Sequence, residues 1–467
     1  MRPVILILLV FLSCAGSAGA NASKSVTGSW VGTYTLGTHA SSQITFSIRG
    51  GRATVALGVG HADVQSVSRR GLRFQLPGAP TPLVFNGKLR VGRVSGTVRQ
   101  GTARGRFRAK RGTAPALIAR GLYRSGDRVL GVVDDPYGPE RLVDLDSGAV
   151  HAIYPSGKNF VIGSGFATRT PTTGSARFDA AGARINGTAA ARVPQRQLEV
   201  RFPSGGVTLS GTLTVPTGAA PHAAVAWVHG SGRTTRAYLP DLQALLLRNG
   251  VAVLAYDKRG IGQSGGSYPG ESPTEFAIDA LARDAAAAVR FLASRPEIDP
   301  ARVGLAGHSQ AGWIIPLAAV REPGVRFAVV FSGPAVTADE NDVYQHLTGQ
   351  GEQPPTLTEE EVDAAVFAAG PGGVDPIPWI RALRIPMLWV YGGLDQHIPP
   401  RLSARRLAPI ASEPGRDFTV ETFPRANHAL VETQTGLTAE MLRSDTFAPG
   451  LFGRVRDWLA ERGFRLG

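Results

Sequence analysis

The chain has 467 residues, of which 43% are hydrophobic and 18% charged, with a formal net charge of +14. That length and apolar content give a globular protein of two or three domains with a large buried core. Cys14 is the single cysteine and the nine histidines show no spacing such as His-Glu-x-x-His, so a disulfide framework is excluded and a metal site is not expected.

In chain order, the first element is a leader. Met1-Arg2, the apolar run Val4 to Leu12 and the small residues Ala18-Gly19-Ala20 read as a signal peptide over residues 1–20. The expected mature chain starts near Asn21, lacks cysteine and is exported to the periplasm or beyond. Lipidation at Cys14 is the alternative, but Phe11-Leu12-Ser13 places leucine one position away from a lipoprotein box. No other stretch is long enough to span a membrane.

Residues 21–111 read as β throughout. Short strands recur about every ten residues, among them Ser29 to Leu36, Gln43 to Ile48, Leu72 to Leu76, Phe85 to Leu89, Val94 to Val98 and Gly105 to Ala109, punctuated by Gly and Pro. The spacing predicts a small antiparallel barrel or sandwich. A second β-rich stretch follows over 112–195, with Gly121 to Arg124, Arg128 to Val133, Arg141 to Leu145 and Val150 to Tyr154 as strands and a linker near Ala189 to Arg196.

Charge divides at the same boundary. Residues 21–195 hold 24 Lys and Arg against 8 Asp and Glu, whereas residues 196–467 hold 25 against 28. A basic β region of this kind can adhere to an anionic cell-envelope polymer through a salt-screened attraction; the plainer reading is arginine decorating outward strand faces. Nucleic acid is not expected, because the arginines alternate along strands without an aromatic platform.

From residue 196 the rhythm becomes strand and helix. Leu198 to Phe202 and Val207 to Val215 form a hairpin-like pair, and Ala223 to Val228 then runs into His229-Gly230-Ser231-Gly232. Backbone N–H groups at such a loop stabilise an oxyanion, and the amide of Ser231 fits that role. After Val251 to Ala255 comes Asp257-Lys258-Arg259-Gly260-Ile261-Gly262-Gln263-Ser264, a charged glycine-rich turn assigned a structural role.

The apolar run Val303 to Ala306, the turn Gly307-His308-Ser309-Gln310-Ala311-Gly312 and the run Trp313 to Ala319 predict strand, tight turn and helix with Ser309 at the apex. That is a nucleophile elbow, with the amide of Gln310 as the second oxyanion donor. Residues 335–379 interrupt the rhythm as a small helical cap, where Thr358 followed by Glu359-Glu360-Glu361 gives a helix start. Ile385 to Tyr391 then delivers Asp395 in the loop beyond its strand. Phe418 to Phe423 delivers His428 in the same way, thirty-three residues on from Asp395. Asp257 precedes the nucleophile and is the weaker candidate acid; His229, His308 and His397 stand in the right loops without being required as base.

These motifs resemble the α/β-hydrolase superfamily, in particular its serine carboxylesterase and dienelactone-hydrolase-like branch, over about Gln197 to Gly467. The resemblance implies an α/β class with a mostly parallel sheet flanked by helices in residues 196–467, preceded by an all-β region. It implies hydrolysis of a small-molecule ester by Ser309, His428 and Asp395 through an acyl enzyme, with no cofactor. A peptidase of the same fold is the neighbouring expectation, and a non-enzymatic envelope-binding protein is the expectation of a different class.

Overall fold

The computed structural model describes residues 28–464 apart from 37–41, 50–51, 58–59, 64–65, 68–70, 77–82, 91, 101–102, 112–119, 135–138, 157–158 and 219. The expected leader and Cys14 lie outside the described residues. Contacts divide the chain near residue 114 into two compact units. Among the described residues no helix is long and apolar enough to cross a membrane.

The first unit is one nine-stranded sheet rather than the expected barrel or sandwich. Between the edge strands Gly60–Asp63 and Ser66–Val67 run, in order, Arg52–Leu57, Ser42–Arg49, Gly28–Leu36, Ala103–Arg111, Arg93–Gln100, Leu83–Arg90 and Gly71–Leu76. Successive side chains of a strand point to opposite faces, and on Ala103–Arg111 Phe107 and Ala109 are buried while Arg104, Arg106, Arg108 and Lys110 are exposed. On the inner face Phe85 meets both Tyr34 and Phe107 edge to face, at 5.4 and 5.3 Å between ring centroids.

The second unit opens with the closed barrel. Eight strands from Gly121–Ser125 to Thr188–Val193 close by pairing the last with the first, Leu122 opposite Val193 and Tyr123 opposite Arg192. The expected linker over Ala189 to Arg196 is therefore strand. Its alanine-rich sequence has weak β propensity, and the unpaired edge of the barrel decides the matter. Tyr123, Val132 and Leu142 fill the barrel interior, while their neighbours Leu122, Val133 and Val143 point out of it.

A mixed sheet follows, built of β1 (Gln195–Ser204), β2 (Val207–Pro216), β3 (His222–Val228), β4 (Ala252–Tyr256), β5 (Ile298–His308), β6 (Ala328–Phe331), β7 (Met387–Gly392) and β8 (Phe418–Phe423) in the order β1-β2-β4-β3-β5-β6-β7-β8. The pairs β1–β2 and β2–β4 are antiparallel and every later pair is parallel. This is the α/β-hydrolase fold. Buried on both faces, β3 reads as an unbroken apolar run after its first residue, as parallel strands do. Its Ala224, Ala226 and Val228 face the layer formed by α2 (Glu275–Ala293) and α3 (Ala311–Arg321). Its Ala223, Val225 and Trp227 face the other layer.

That second layer is shared. Besides α1 (Pro240–Arg248) and the C-terminal helix Leu451–Glu461, it contains the outward barrel residues Leu122, Val129, Val133, Val143 and Val150. A buried ion pair fastens the same contact, Arg141 of the barrel donating to Asp241 of α1 through Nε at 3.0 Å and through a second, shorter bond. Strand-like bonds add to it, with Val150 N–H donating to Asp445 O at 2.7 Å and Phe447 N–H to Gly148 O at 2.9 Å. The barrel thus supplies one wall of the core against which the mixed sheet is buried.

Breaking this ion pair from one side leaves a buried charge uncompensated, so Asp241→Ala should lower stability by about 3–5 kcal/mol. The double replacement Arg141→Met with Asp241→Leu should recover most of that loss. Urea unfolding checks both; equal stability of the single and double variants would show that the pair carries no such charge.

Candidate active site

Four loops at the carboxyl ends of β3, β5, β7 and β8 carry the residues singled out from the sequence. Open α/β sheets place ligands at this edge. Ser309 follows β5 with φ +59°, the left-handed region that an L-residue adopts only when held there. Its N–H donates to Phe331 O on β6 at 3.0 Å, and Gly312 N–H closes the turn on Ser309 O at 2.8 Å. A Cβ on Gly307 would stand 2.5 Å from Val228 O and 2.7 Å from the Ala311 methyl. The gap at the elbow therefore takes one methyl, and Ala311 fills it where the usual motif has glycine.

Asp395 lies beyond β7 and is 1% exposed. Its Oδ1 accepts from the N–H groups of His397 at 2.7 Å and Ile398 at 3.0 Å, and its Oδ2 meets His428 Nδ1 at 2.7 Å. His428 sits beyond β8 on a turn shaped by Asn427, whose Oδ1 accepts from the N–H groups of Ala429 and Val431 at 3.1 Å each. Donation from Nδ1 leaves Nε2 as the free acceptor of the neutral ring. Burial pushes the Asp395 carboxyl up to about 6 and the His428 imidazole down to about 3, so the ring is neutral over the physiological range.

Of the other histidines marked from the sequence, His308 and His397 contact His428, whereas His229 does not. His308 is buried and spans from Tyr238 Oη, 2.9 Å from its Nδ1, to the carbonyl oxygen of His428, 2.8 Å from its Nε2. The second bond fixes the tautomer: Nε2–H donates to the carbonyl and Nδ1 accepts from the phenol. His308 thereby ties the loop of His428 to the turn of Ser309. His397 stacks on His428 with centroids 4.5 Å apart, while His229 packs edge-on against Tyr256 at 5.0 Å. Burial holds both imidazoles well below their ordinary value, at about 4 and about 3.

The charged turn after β4 divides into two roles. Asp257, the rival acid, is consumed by Arg236, which donates through its N–H at 3.0 Å, Nε at 3.1 Å and Nη2 at 2.9 Å. Despite the opposing effect of burial, those bonds hold its carboxyl below the usual range. Arg259 pairs with the buried Asp284 of α2. Lys258 is different and was not marked by its sequence context. It is 1% exposed, and Nζ donates to Gly230 O at 2.6 Å, Gly232 O at 3.1 Å and Gln310 Oε1 at 3.4 Å. Three acceptors match the three protons of an ammonium. A trans peptide directs its C=O and N–H oppositely, so pinning Gly230 O on Lys258 turns the Ser231 N–H away from the lysine. Gly230 itself is glycine by necessity, since a Cβ would lie 2.3 Å from Tyr238 Oη and 3.3 Å from the Cβ of Ser309.

The helical insert contributes to this geometry from the far side. Between β6 and β7 stand α4 (Ala338–Thr348), α5 (Glu359–Ala369) and α6 (Ile377–Ala382), and the helix start read at Thr358 is a capping box with Glu361. From α4, Tyr344 Oη donates to Asp395 O at 2.6 Å, Gln345 Nε2 to His397 O at 2.9 Å and Thr348 Oγ1 to Gln396 O at 2.6 Å. One side of this helix holds the acid loop, a role that no local sequence signal announces.

Residues 219–353 match the family described as serine aminopeptidase, S33; the match includes Ser231, Ser309 and Gln310 and ends before Asp395. Esterase EstD of Thermotoga maritima is 28% identical over 283 residues, 54% of this chain and 66% of its own length. Polyketide transferase claH of Penicillium crustosum is 32% identical over 104 residues, 22% of this chain and 32% of its own length. The chain thus spans under two thirds of these curated relatives. A Pyrococcus furiosus esterase superimposes with a TM-score of 0.41 at 18% identity, over 57% of this chain and 91% of that one.

Because burial disfavours the charged ring, the His428–Asp395 pair should take up its first proton at or below pH about 6, under the value of about 6.5 for free imidazole. Nitrogen-resolved NMR of the imidazoles measures this. A first protonation above pH 7 would mean that the ring is not held neutral.

Proposed function

We propose that this chain is an exported serine hydrolase that cleaves carboxylic esters through an acyl enzyme. The observation that carries the reading is the 2.7 Å bond from His428 Nδ1 to Asp395 Oδ2, on a loop that His308 fastens beside the strained turn of Ser309. In this mechanism Ser309 Oγ attacks the ester carbonyl while His428 Nε2 takes its proton. Asp395 stabilises the imidazolium and keeps the ring in the required tautomer. The amides of Gln310 and Ser231 receive the oxyanion, His428 returns the proton to the leaving alcohol, and water releases the acyl group by the same route. The esterase name of the Thermotoga relative supports the substrate class, and the apolar leader of residues 4–12 supports export.

The serine aminopeptidase description of the matched family favours a second reading, cleavage of an amide at a peptide N-terminus. Both readings use the same three side chains. They separate on p-nitrophenyl acyl esters against aminoacyl nitroanilides, and the expected result is turnover of the esters.

Ser309→Ala should lower kcat by about 10⁴-fold or more and abolish labelling by a fluorophosphonate, His428→Ala should be equally severe, and Asp395→Asn somewhat less so. Activity within tenfold of the parent in the Ser309 or His428 variant would overturn the proposal.

Lys258 lies behind the oxyanion amides, and its loss should act on the transition state rather than on substrate binding. Lys258→Met should cost about 10²-fold in kcat with little change in KM. Burial pushes its ammonium down to about 7, so kcat of the parent should decline as pH rises past that value and the third proton leaves. A profile flat from pH 7 to 9 would remove Lys258 from the catalytic geometry.

A further inference from the structure

The nine-stranded sheet has a second face with no counterpart in the hydrolase chemistry. On Ala103–Arg111 the side chains of Arg104, Arg106, Arg108 and Lys110 are all exposed on it. The neighbouring strand Arg93–Gln100 adds Arg93 and Arg99, and Leu83–Arg90 adds Lys88 and Arg90, all exposed as well. The register places Arg99 directly opposite Arg104, and Arg93 opposite both Arg90 and Lys110. Like charges that face each other across a ladder destabilise it. Nothing nearby in the chain offsets this, since residues 28–111 contain 14 Lys and Arg and Asp63 as the single acid. A sheet under pressure for stability alone would alternate the signs.

We propose that this face binds a linear polyphosphodiester without nucleobases, of the kind found in anionic cell-envelope polymers. Cations recur about every 6.8 Å along a strand and about every 4.8 Å between strands, a grid suited to a repeating polyanion rather than to one small anion. Seven of the nine exposed cations on this face, counting Arg73 on Gly71–Leu76, are arginines, whose planar forks bind phosphate oxygens in pairs. Among them stand the exposed hydroxyls of Thr33, Thr35, Ser95 and Thr97, and hydroxyls with Arg and Lys are the usual donors to phosphate. Trp30, Tyr34, Phe85 and Phe107 are buried on the opposite face, so none of these rings is offered for a base to stack on.

The inference stands apart from the esterase reading, and its test reads binding alone. Fluorescently labelled poly(glycerol phosphate) is titrated with the full chain at 50 and 200 mM salt, alongside polygalacturonate and single-stranded poly(dT). The expected result is preferential binding of poly(glycerol phosphate), weakening at least tenfold between the two salt concentrations. Joint replacement of Arg104, Arg106 and Arg108 by Gln should weaken binding at least tenfold and reduce the slope of log affinity against log salt by about 2, at about 0.7 per lost phosphate contact. Arg93→Gln with Arg99→Gln provides an independent pair on the adjacent strand, and unchanged circular dichroism certifies the fold of both variants. Absence of binding at 50 mM salt, or equal binding by parent and variants, overturns the proposal. Tighter binding of poly(dT) or of polygalacturonate overturns it in favour of a nucleic acid or a carboxylate polymer.

Discussion

Ser309 occupies a left-handed backbone conformation that costs an L-residue about 1–2 kcal/mol, and the mixed-sheet half of the molecule is arranged so that no easier conformation is open to it. The strand before it ends against β6, whose Phe331 carbonyl takes the Ser309 N–H. Val228 on β3 and the Ala311 methyl leave no room for a side chain at Gly307. Because β3, β5, β7 and β8 run parallel in one sheet, the loops carrying Ser231, Ser309, Asp395 and His428 emerge at the same edge. His308, next to Ser309 in the chain, then reaches across to the carbonyl of His428, so the Ser309 turn and the His428 loop are positioned by one another.

Buried charge in this half ties separate elements together. Arg236 takes up Asp257, Arg259 takes up Asp284, and Arg141 takes up Asp241. Each pair joins elements far apart in the chain, and unpaired burial of either partner would be costly. Lys258 follows a different rule, directing its donors at two loop carbonyls and the Gln310 amide oxygen. Its ammonium is thus held by neutral oxygens rather than by a carboxylate. In the first unit the cations instead lie on one exposed face, in a segment, residues 28–111, whose sequence has Asp63 as its single acid.

The barrel shows why domain limits drawn from composition are incomplete. Residues 121–193 have their own interior, yet the outward residues Leu122, Val129, Val133, Val143 and Val150 belong to the core that covers the mixed sheet. With α1 and the C-terminal helix alone, the core around Val225 of β3, Leu242 of α1 and Phe452 of the C-terminal helix would lack one wall. The barrel and the mixed sheet therefore belong to one compact unit.

Much of this was legible from residue order. The motif around Ser309, the post-strand placement of Asp395 and His428, and the capping box at Thr358 follow from local rules, because strand, turn and helix preferences act over a few residues. Most strands of the first β region were visible as periodic runs, whereas Asn159–Ile162, Gly182–Ile185 and Thr188–Val193 of the second were not. What sequence could not decide was closure and partnership. Whether a β meander closes into a barrel depends on its first and last strands meeting, as Leu122 and Val193 do across about seventy residues. The same holds for Tyr238 on His308, Tyr344 on the Asp395 loop and Lys258 on the oxyanion loop. Each is one side chain with no local pattern, whose role exists only because tertiary packing brings a distant carbonyl or ring nitrogen within about 3 Å of it.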